Sequence, residues 1–491
     1  TGLQSSFITI DLRAPKSVAP EVEIRKSEKV TGWKGEKVSA QILLWTTSDV
    51  NQVELEFDDF VSDAGSIPSS AAQARFVRYV MTDEFAEGCG HRKPEDYAAS
   101  LSPDMLDNLD NFNIEANTVR PVWLTIDIPS DAAAGSYKGK LNLYAERDFV
   151  EDFEIEIEVV DQLLPEPSEW AYHLDLWQHP SAVARVHNLE MWSDAHFEKM
   201  RPIMKMLADA GQKVITATLN KDPWNNQSFD AYADMIVWTK NEDQSWSFDY
   251  TVFDKWVEFM MDLGVTDMIN CYSLLTWNNQ VHYNDMEKKE LVTLELKAQS
   301  DEYAEFWSVF LKDFTQHLKA KGWLEITNIA MDERSPADMQ AALKVLATSA
   351  PELGISLADN HKSYKEYPGI KDISVGANSK VDKEDIISRR AEGLNTTWYV
   401  CCADPFANMF TFSEPAEAVY AGWHTVAADL DGMLRWAYNS WVENPLTDSR
   451  YRTWPAGDTY IVYPNARSSI RFERLIEGIQ DRSEERRVGK E

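Results

Sequence analysis

From Phe7 to about Val160 hydrophobic and polar residues alternate in short runs: FITIDLRA, KVSAQILLWTT, QVELEFDDF, ARFVRYVMT, TVRPVWLTIDI, GKLNLYAE and EDFEIEIEVV. A two-residue period places every second side chain on one face, so residues 1–162 are expected to form an antiparallel β-sandwich. Pro165 and Pro167, in DQLLPEPSEW, break any helix and predict a stiff linker over 163–169. After Trp170 the rhythm changes. Apolar strand candidates AYHLDLW, KVITATL, TDMINCYSL, ITNIAMDE, ISLADNH, DISVGA, NTTWYVCC and GMLRWAYNSW follow one another, with helical stretches between most of them. Eight such strands over about 270 residues predict a (β/α)8 barrel spanning 170–481. Phe306, Phe310, Phe314 and Leu318 recur every four residues and so share one buried helix face. IVWTKNEDQSWSFDY reads as a hairpin-like insert between the second strand and its helix, and SIRFERLIEGIQD as a helix closing the barrel. The charged, aperiodic run at 482–491 reads as a disordered or foreign tail.

Composition narrows the function. Lys and Arg number 48 against 81 Asp and Glu, a net charge of −33. Such a surface works against nucleic acid and anionic membrane. The apolar runs fall far short of the roughly 20 residues of a membrane-spanning helix. The opening TGLQSS has neither initiator Met nor an apolar signal core, and reads either as a trimmed chain or as a processed export product; an exported protein, in a periplasm, on a cell surface or outside the cell, is the expectation. Cys89, Cys271, Cys401 and Cys402 offer no even framework of spaced pairs, so no disulfide scaffold is expected. The motifs of zinc hydrolases, serine esterases, dinucleotide enzymes and phosphate-loop enzymes are absent. Without a His/Asp/Glu cluster at ligand spacing, neither metal nor cofactor is implied.

Chemistry is therefore left to carboxylates and aromatics. Reacting groups of a (β/α)8 barrel lie where strands end and their loops begin. Asp332 and Glu333 stand there, ending the apolar strand ITNIAM. Other acidic pairs, such as Asp58-Asp59 and Asp301-Glu302, sit in polar stretches where solvated acids cost nothing. Neighbouring strand residues face opposite ways, so both acids address one pocket only if the backbone turns there. A rival pair, Asp83-Glu84, follows a sandwich strand and reads as solvated surface.

ITNIAMDERSP, ISLADNH, GMLRWAYNSWVENP, GDTYIVYP and SSIRFERLIEGIQD together resemble glycoside hydrolase family 123 and its wider relatives, bacterial hexosaminidases with a β-sandwich ahead of a (β/α)8 barrel. The resemblance covers most of the chain and is most specific over 432–481; the loop DEFAEGCGHRKPEDY also looks like the family's, whereas the ending RSEERRVGKE departs from it. It implies a β-N-acetylgalactosaminidase using substrate-assisted catalysis, with the family's Asp-Glu pair falling on Asp332 and Glu333. In that chemistry the substrate's acetamido oxygen attacks the anomeric carbon, so the protein supplies one acid rather than an acid and a nucleophile. Glu333 fits the acid/base, helped by a raised pKa, and an ionised Asp332 fits the group that orients the acetamido N–H. Trp177, Trp436 and Trp441 are candidate sugar-stacking walls. Tyr399 and Tyr438 are candidate hydroxyl donors, and Asp359, Asn439 and His361 candidate partners for sugar hydroxyls. The expected partner is a glycan ending in a 2-acetamido sugar, with the C4 configuration left open. Two other readings stand: a glycan-capture protein without turnover, and a two-carboxylate glycosidase with Asp175 or Asp359 as nucleophile.

Overall fold

A computed structural model describes residues 2–84, 89, 96–452 and 454–488, with side chains as far as residue 483. The chain forms two compact units, each discontinuous in sequence. One comprises Thr1–Ala171, Cys402–His424 and Asn444–Glu491, the other Tyr172–Cys401 and Thr425–Glu443. Among the described residues no helix is long and apolar enough to cross a membrane.

The first unit is the expected sandwich with additions. One sheet has the spatial order Gln4–Ile8, Lys37–Thr46, Thr118–Asp127, Ala72–Thr82, Ser100–Asp107. The other runs Ser27–Lys34, Asp148–Leu163, Gly135–Ala145, Val50–Phe57, Phe112–Ile114. Alternation aims Ile42, Leu44, Val122 and Leu124 of the first sheet and Leu141, Leu143, Ile155 and Ile157 of the second into one buried core. One pair departs from the antiparallel expectation, since Ser27–Lys34 runs parallel to Asp148–Leu163.

The helix Ile470–Val488, expected to close the barrel, belongs to this unit. Its polar side chains find their partners here: Glu473 pairs with Arg75 at 3.1 Å, and Gln480 exchanges two hydrogen bonds with the Lys37 backbone. Ile470 packs on Val77, Leu106 and Trp123. The helix also continues to Val488, through most of the stretch expected to be an unstructured tail. A disulfide joins Cys89 to Cys402, against expectation; at a sequence separation of 313, spacing along the chain carries no trace of the pairing.

The second unit is the barrel. Its eight parallel strands are β1 His173–Leu176, β2 Val214–Thr218, β3 Met268–Tyr272, β4 Thr327–Asp332, β5 Gly354–Asp359, β6 Asp372–Gly376, β7 Asn395–Tyr399 and β8 Gly432–Arg435. Consecutive strands are neighbours, and β8 pairs with β1. A Cβ at Gly432 would collide with the His173 backbone, so only glycine allows that approach. Between β1 and β2 the ladder thins to one bridge, Leu174 to Gln212, and two buried amides take over. Gln212 accepts from the Leu176 N–H at 3.0 Å and donates to the Val214 carbonyl at 2.7 Å; Gln178 accepts from the Thr216 N–H at 2.9 Å.

The barrel interior is partly polar. His173 lies 3.4 Å from Asp372, whose other oxygen accepts from Asn270 and Ser356, both at 3.2 Å. The expected insert is a hairpin, Val237–Lys240 with Trp246–Asp249, and a second hairpin, Gln280–Asp285 with Glu290–Glu295, extends it to four strands. Helices expected from apolar periodicity follow. Asp301–Lys321 starts at the Ser300 cap, buries Phe306, Phe310, Phe314 and Leu318, and ends at Gly322 in the left-handed conformation.

Candidate active site

Asp332 is the last residue of β4, and Glu333 begins the turn that follows. Ser335 caps the next helix by accepting the Asp338 N–H, and Pro336 occupies its first position, so the chain must reverse within two residues. Glu333 takes up that reversal at φ +46°, a region that costs a non-glycine residue strain, while its N–H still donates to Ala358 of β5 at 2.9 Å. The backbone therefore turns where two adjacent acids have to leave the strand together. Asp332 ends half-buried and Glu333 exposed.

Their surroundings differ. The Trp224 indole N–H donates to Asp332 Oδ2 at 3.0 Å, and the Trp277 indole N–H reaches the Asp332 carbonyl at 3.3 Å. Glu333 instead receives the Tyr399 hydroxyl at 2.6 Å. Below them lies an aromatic floor of Trp177, Trp224, Tyr232, Tyr272 and Tyr399, with Trp277 and Trp436 packed against it. Burial first, then the adjacent Glu333 charge, push the Asp332 carboxyl up to about 8, against the opposing pull of the Trp224 N–H and Arg334. The Asp332 shift follows from the fold, because β4 carries Asp332 into the apolar floor while the turn lifts Glu333 into solvent.

Of the other expected site residues, the structure brings Trp177, Tyr399 and Trp436 to this floor. Trp177 stacks on Trp224 at 4.6 Å and 25° and is 2% exposed, which makes it a support rather than a wall. Asp359 ends β5, buried, holding the Ser363 hydroxyl, with the exposed His361 ring 3.2 Å away. Tyr438, Asn439 and Trp441 are placed elsewhere. Tyr438 donates to the Ile203 carbonyl at 2.8 Å, Asn439 clamps the His179 backbone through both amide atoms, and Trp441 meets His187 edge-on. All three are fully buried. The strand expected over GMLRWAYNSW stops at Arg435, so alternation has no hold on positions 438–441. Asp175 is enclosed within the barrel; burial and the Asp372 charge push its carboxyl up to about 7. The rival Asp83-Glu84 lies in the first unit, and most of its loop, 85–88 and 90–95, is outside the described residues.

Trp224 and Trp277 escape a search confined to strand ends because they sit on the loops after β2 and β3. A signal existed. The tetrapeptide Trp-Asn-Asn-Gln occurs twice, at 224–227 and 277–280. Asn225, Asn226 and Asn279 adopt positive φ, which asparagine tolerates better than most residues, and each copy thereby tightens into a turn. The copies bind each other: Asn278 donates to the Asn225 side chain at 3.2 Å and the Trp277 N–H to the Pro223 carbonyl at 2.9 Å.

Two family profiles match the sequence, the catalytic domain of glycoside hydrolase 123 over residues 177–485 and the glycoside hydrolase 123 N-terminal domain over 7–145. A family 123 glycoside hydrolase from Clostridium perfringens, described for glycolipid glycan hydrolysis, is 30% identical with a TM-score of 0.90, over 99% of this chain and 88% of its own. A family 39 glycoside hydrolase from Bacteroides cellulosilyticus is 11% identical, with a TM-score of 0.38 over 77% of this chain and 76% of its own. No curated protein matches the sequence.

Proposed function

The chain belongs to glycoside hydrolase family 123, and from that premise we propose that it is a retaining exo-glycosidase that removes terminal β-linked N-acetylgalactosamine by substrate-assisted catalysis. The observation that carries this reading is the unequal setting of the two adjacent acids. Asp332 is anchored over an aromatic floor by an indole N–H, as a group orienting an acetamido N–H must be, and Glu333 stands exposed, where a leaving oxygen and then water have to arrive. The second-carboxylate alternative lacks a matching partner, since Asp175 is enclosed and Asp359 is buried against Ser363.

Burial and the adjacent Glu333 charge favour a proton on Asp332 in the free enzyme, whereas catalysis requires one on Glu333. An acetamido N–H donated to Asp332, and the positive charge that develops as the oxazolinium forms, both favour ionised Asp332 and transfer the shared proton to Glu333. Glu333 then protonates the glycosidic oxygen and, as a carboxylate, deprotonates the water that opens the oxazolinium, giving retention. Terminal N-acetylgalactosamine on glycolipid glycans is the substrate class suggested by the Clostridium perfringens relative. An exported location suits the Cys89–Cys402 disulfide.

The test compares aryl β-glycosides of N-acetylgalactosamine, N-acetylglucosamine and galactose, then a series with the acetyl methyl progressively fluorinated. Turnover is expected for the galacto-configured acetamido glycoside, to fall steeply with each fluorine, and to vanish without the acetamido group. A flat response to fluorination sinks the substrate-assisted mechanism and leaves a protein nucleophile in its place.

A further inference from the structure

A carboxylate that orients a substrate must present one chosen oxygen, and an Asp side chain rotates unless something holds it. Four observations bear on what holds Asp332. The Trp224 indole N–H meets Oδ2 at 3.0 Å and leaves Oδ1 without a donor of that kind. The indole itself is confined, stacked on Trp177 at 4.6 Å and bracketed by Tyr232 at 4.7 Å and Tyr272 at 4.9 Å. Its loop is fixed by the buried Asp222, whose two oxygens accept the Asn226 and Tyr232 N–H groups, both at 2.9 Å. The second Trp-Asn-Asn-Gln copy then holds the Asp332 main chain through the Trp277 indole.

We propose that Trp224 is a positioning residue of the reaction: its N–H pins Oδ2 of Asp332 so that Oδ1 faces the acetamido N–H, with the paired copy at Trp277 fixing the backbone that carries it. The role rests on the function proposed above. Trp224 acts through Asp332 without touching the reacting atoms. The N–H also stabilises the ionised carboxylate against burial and the neighbouring Glu333, so removing it should make Asp332 harder to ionise.

The decisive variant replaces Trp224, in the full chain, by benzothienylalanine, which keeps the fused-ring shape and lacks the N–H. On an aryl N-acetyl-β-galactosaminide, kcat is expected to fall about tenfold, the worth of one hydrogen bond to a charged group, with KM little changed. The acidic limb of the kcat profile should move to higher pH, so that the loss shrinks as pH rises. Trp224→Phe should do the same, and neither change should lower the residual rate of Asp332→Asn further. Unaltered kcat and pH profile in the benzothienyl variant, or a full additional loss in the Asp332→Asn background, overturns the proposal in favour of simple packing.

A measurement without substrate separates this from the functional reading. The indole 15N–H resonance of Trp224, assigned by its absence in Trp224→Phe, should titrate between about pH 5 and pH 9 and cease to do so in Asp332→Asn. A flat resonance overturns the contact. A titrating resonance in an enzyme inert toward every 2-acetamido glycoside sinks the proposed function and, with it, the positioning role.

Discussion

Three buried acids of the sandwich unit and two acids of the barrel unit are held in opposite ways. In the sandwich unit Asp104, Asp107 and Glu473 each meet a cation. Asp104 receives the Arg471 guanidinium at 2.8 Å and the Tyr463 hydroxyl at 2.6 Å, and Asp107 lies between Arg78 and Arg467. Burial alone would raise Glu473, but Arg75 and Lys37 overcome it and hold that carboxyl at about 2. In the barrel unit Asp332 and Asp175 lie in apolar or like-charged surroundings and are pushed up to about 8 and about 7, whereas Asp372, paired with His173, is held low. An acid paired with an arginine fastens a structure; one whose burial and like-charged neighbours outweigh the cations near it keeps a proton available near neutral pH.

The largest effect that can sharpen this contrast is on activity. Glu333→Gln should lower kcat by about 10² to 10⁴ on substrates with poor leaving groups, and by less on activated aryl glycosides, while the thermal midpoint scarcely moves. Parallel losses of rate and of melting temperature would mean that the barrel acids are structural too.

Next comes a stability effect from the other unit. Arg471→Met strands Asp104 as a buried charge with only the Tyr463 hydroxyl, and should cost about 3–5 kcal/mol in chemical denaturation, partly restored by adding Asp104→Leu. The molecules that remain folded should keep the wild-type kcat. A variant of unchanged stability would remove the sandwich half of the comparison.

The smallest effect is a difference in pH slope. Asp332 is raised from 3.8 to about 8, so between those values the native state holds a proton that the unfolded chain has lost. Stability from this group is complete below about pH 4 and falls as pH rises through 8, by up to about 1 kcal/mol per unit. Glu473 is lowered from 4.5 to about 2, so its contribution is complete above 4.5 and is lost as pH falls through 2. Asp332→Asn should therefore flatten the decline in melting temperature between about pH 4 and pH 8 and leave the acid-side fall intact. A wild-type slope in that variant would break the assignment of the raised carboxyl.

Much of this was legible in the sequence for a physical reason: side chains carried by strands obey the strand period. All eight barrel strands and the Asp332–Glu333 turn follow from apolar runs and their ends. What escaped lies where that period does not reach. Trp224 and Trp277 are held by loop turns, and Tyr438, Asn439 and Trp441 lie past the end of a strand only four residues long. The helix Ile470–Val488 carries an apolar stripe that serves a sandwich as well as a barrel, and its partners Asp104, Arg75 and Lys37 are hundreds of residues away. Amphipathicity says that a face is buried and leaves open against what.

The interleaving of the two units governs how the molecule comes into being. The eighth barrel strand emerges only after Cys402–His424, which belong to the other unit, and the sandwich unit waits for the Asn444–Glu491 segment that supplies Arg471 and Glu473. A ribosome making this chain therefore completes neither unit before a segment of the other has been made. The nascent N-terminal sheets must persist with the partners of Asp104 and Arg75 still unmade, exposed to aggregation until the segment that carries Arg471 and Glu473 has emerged.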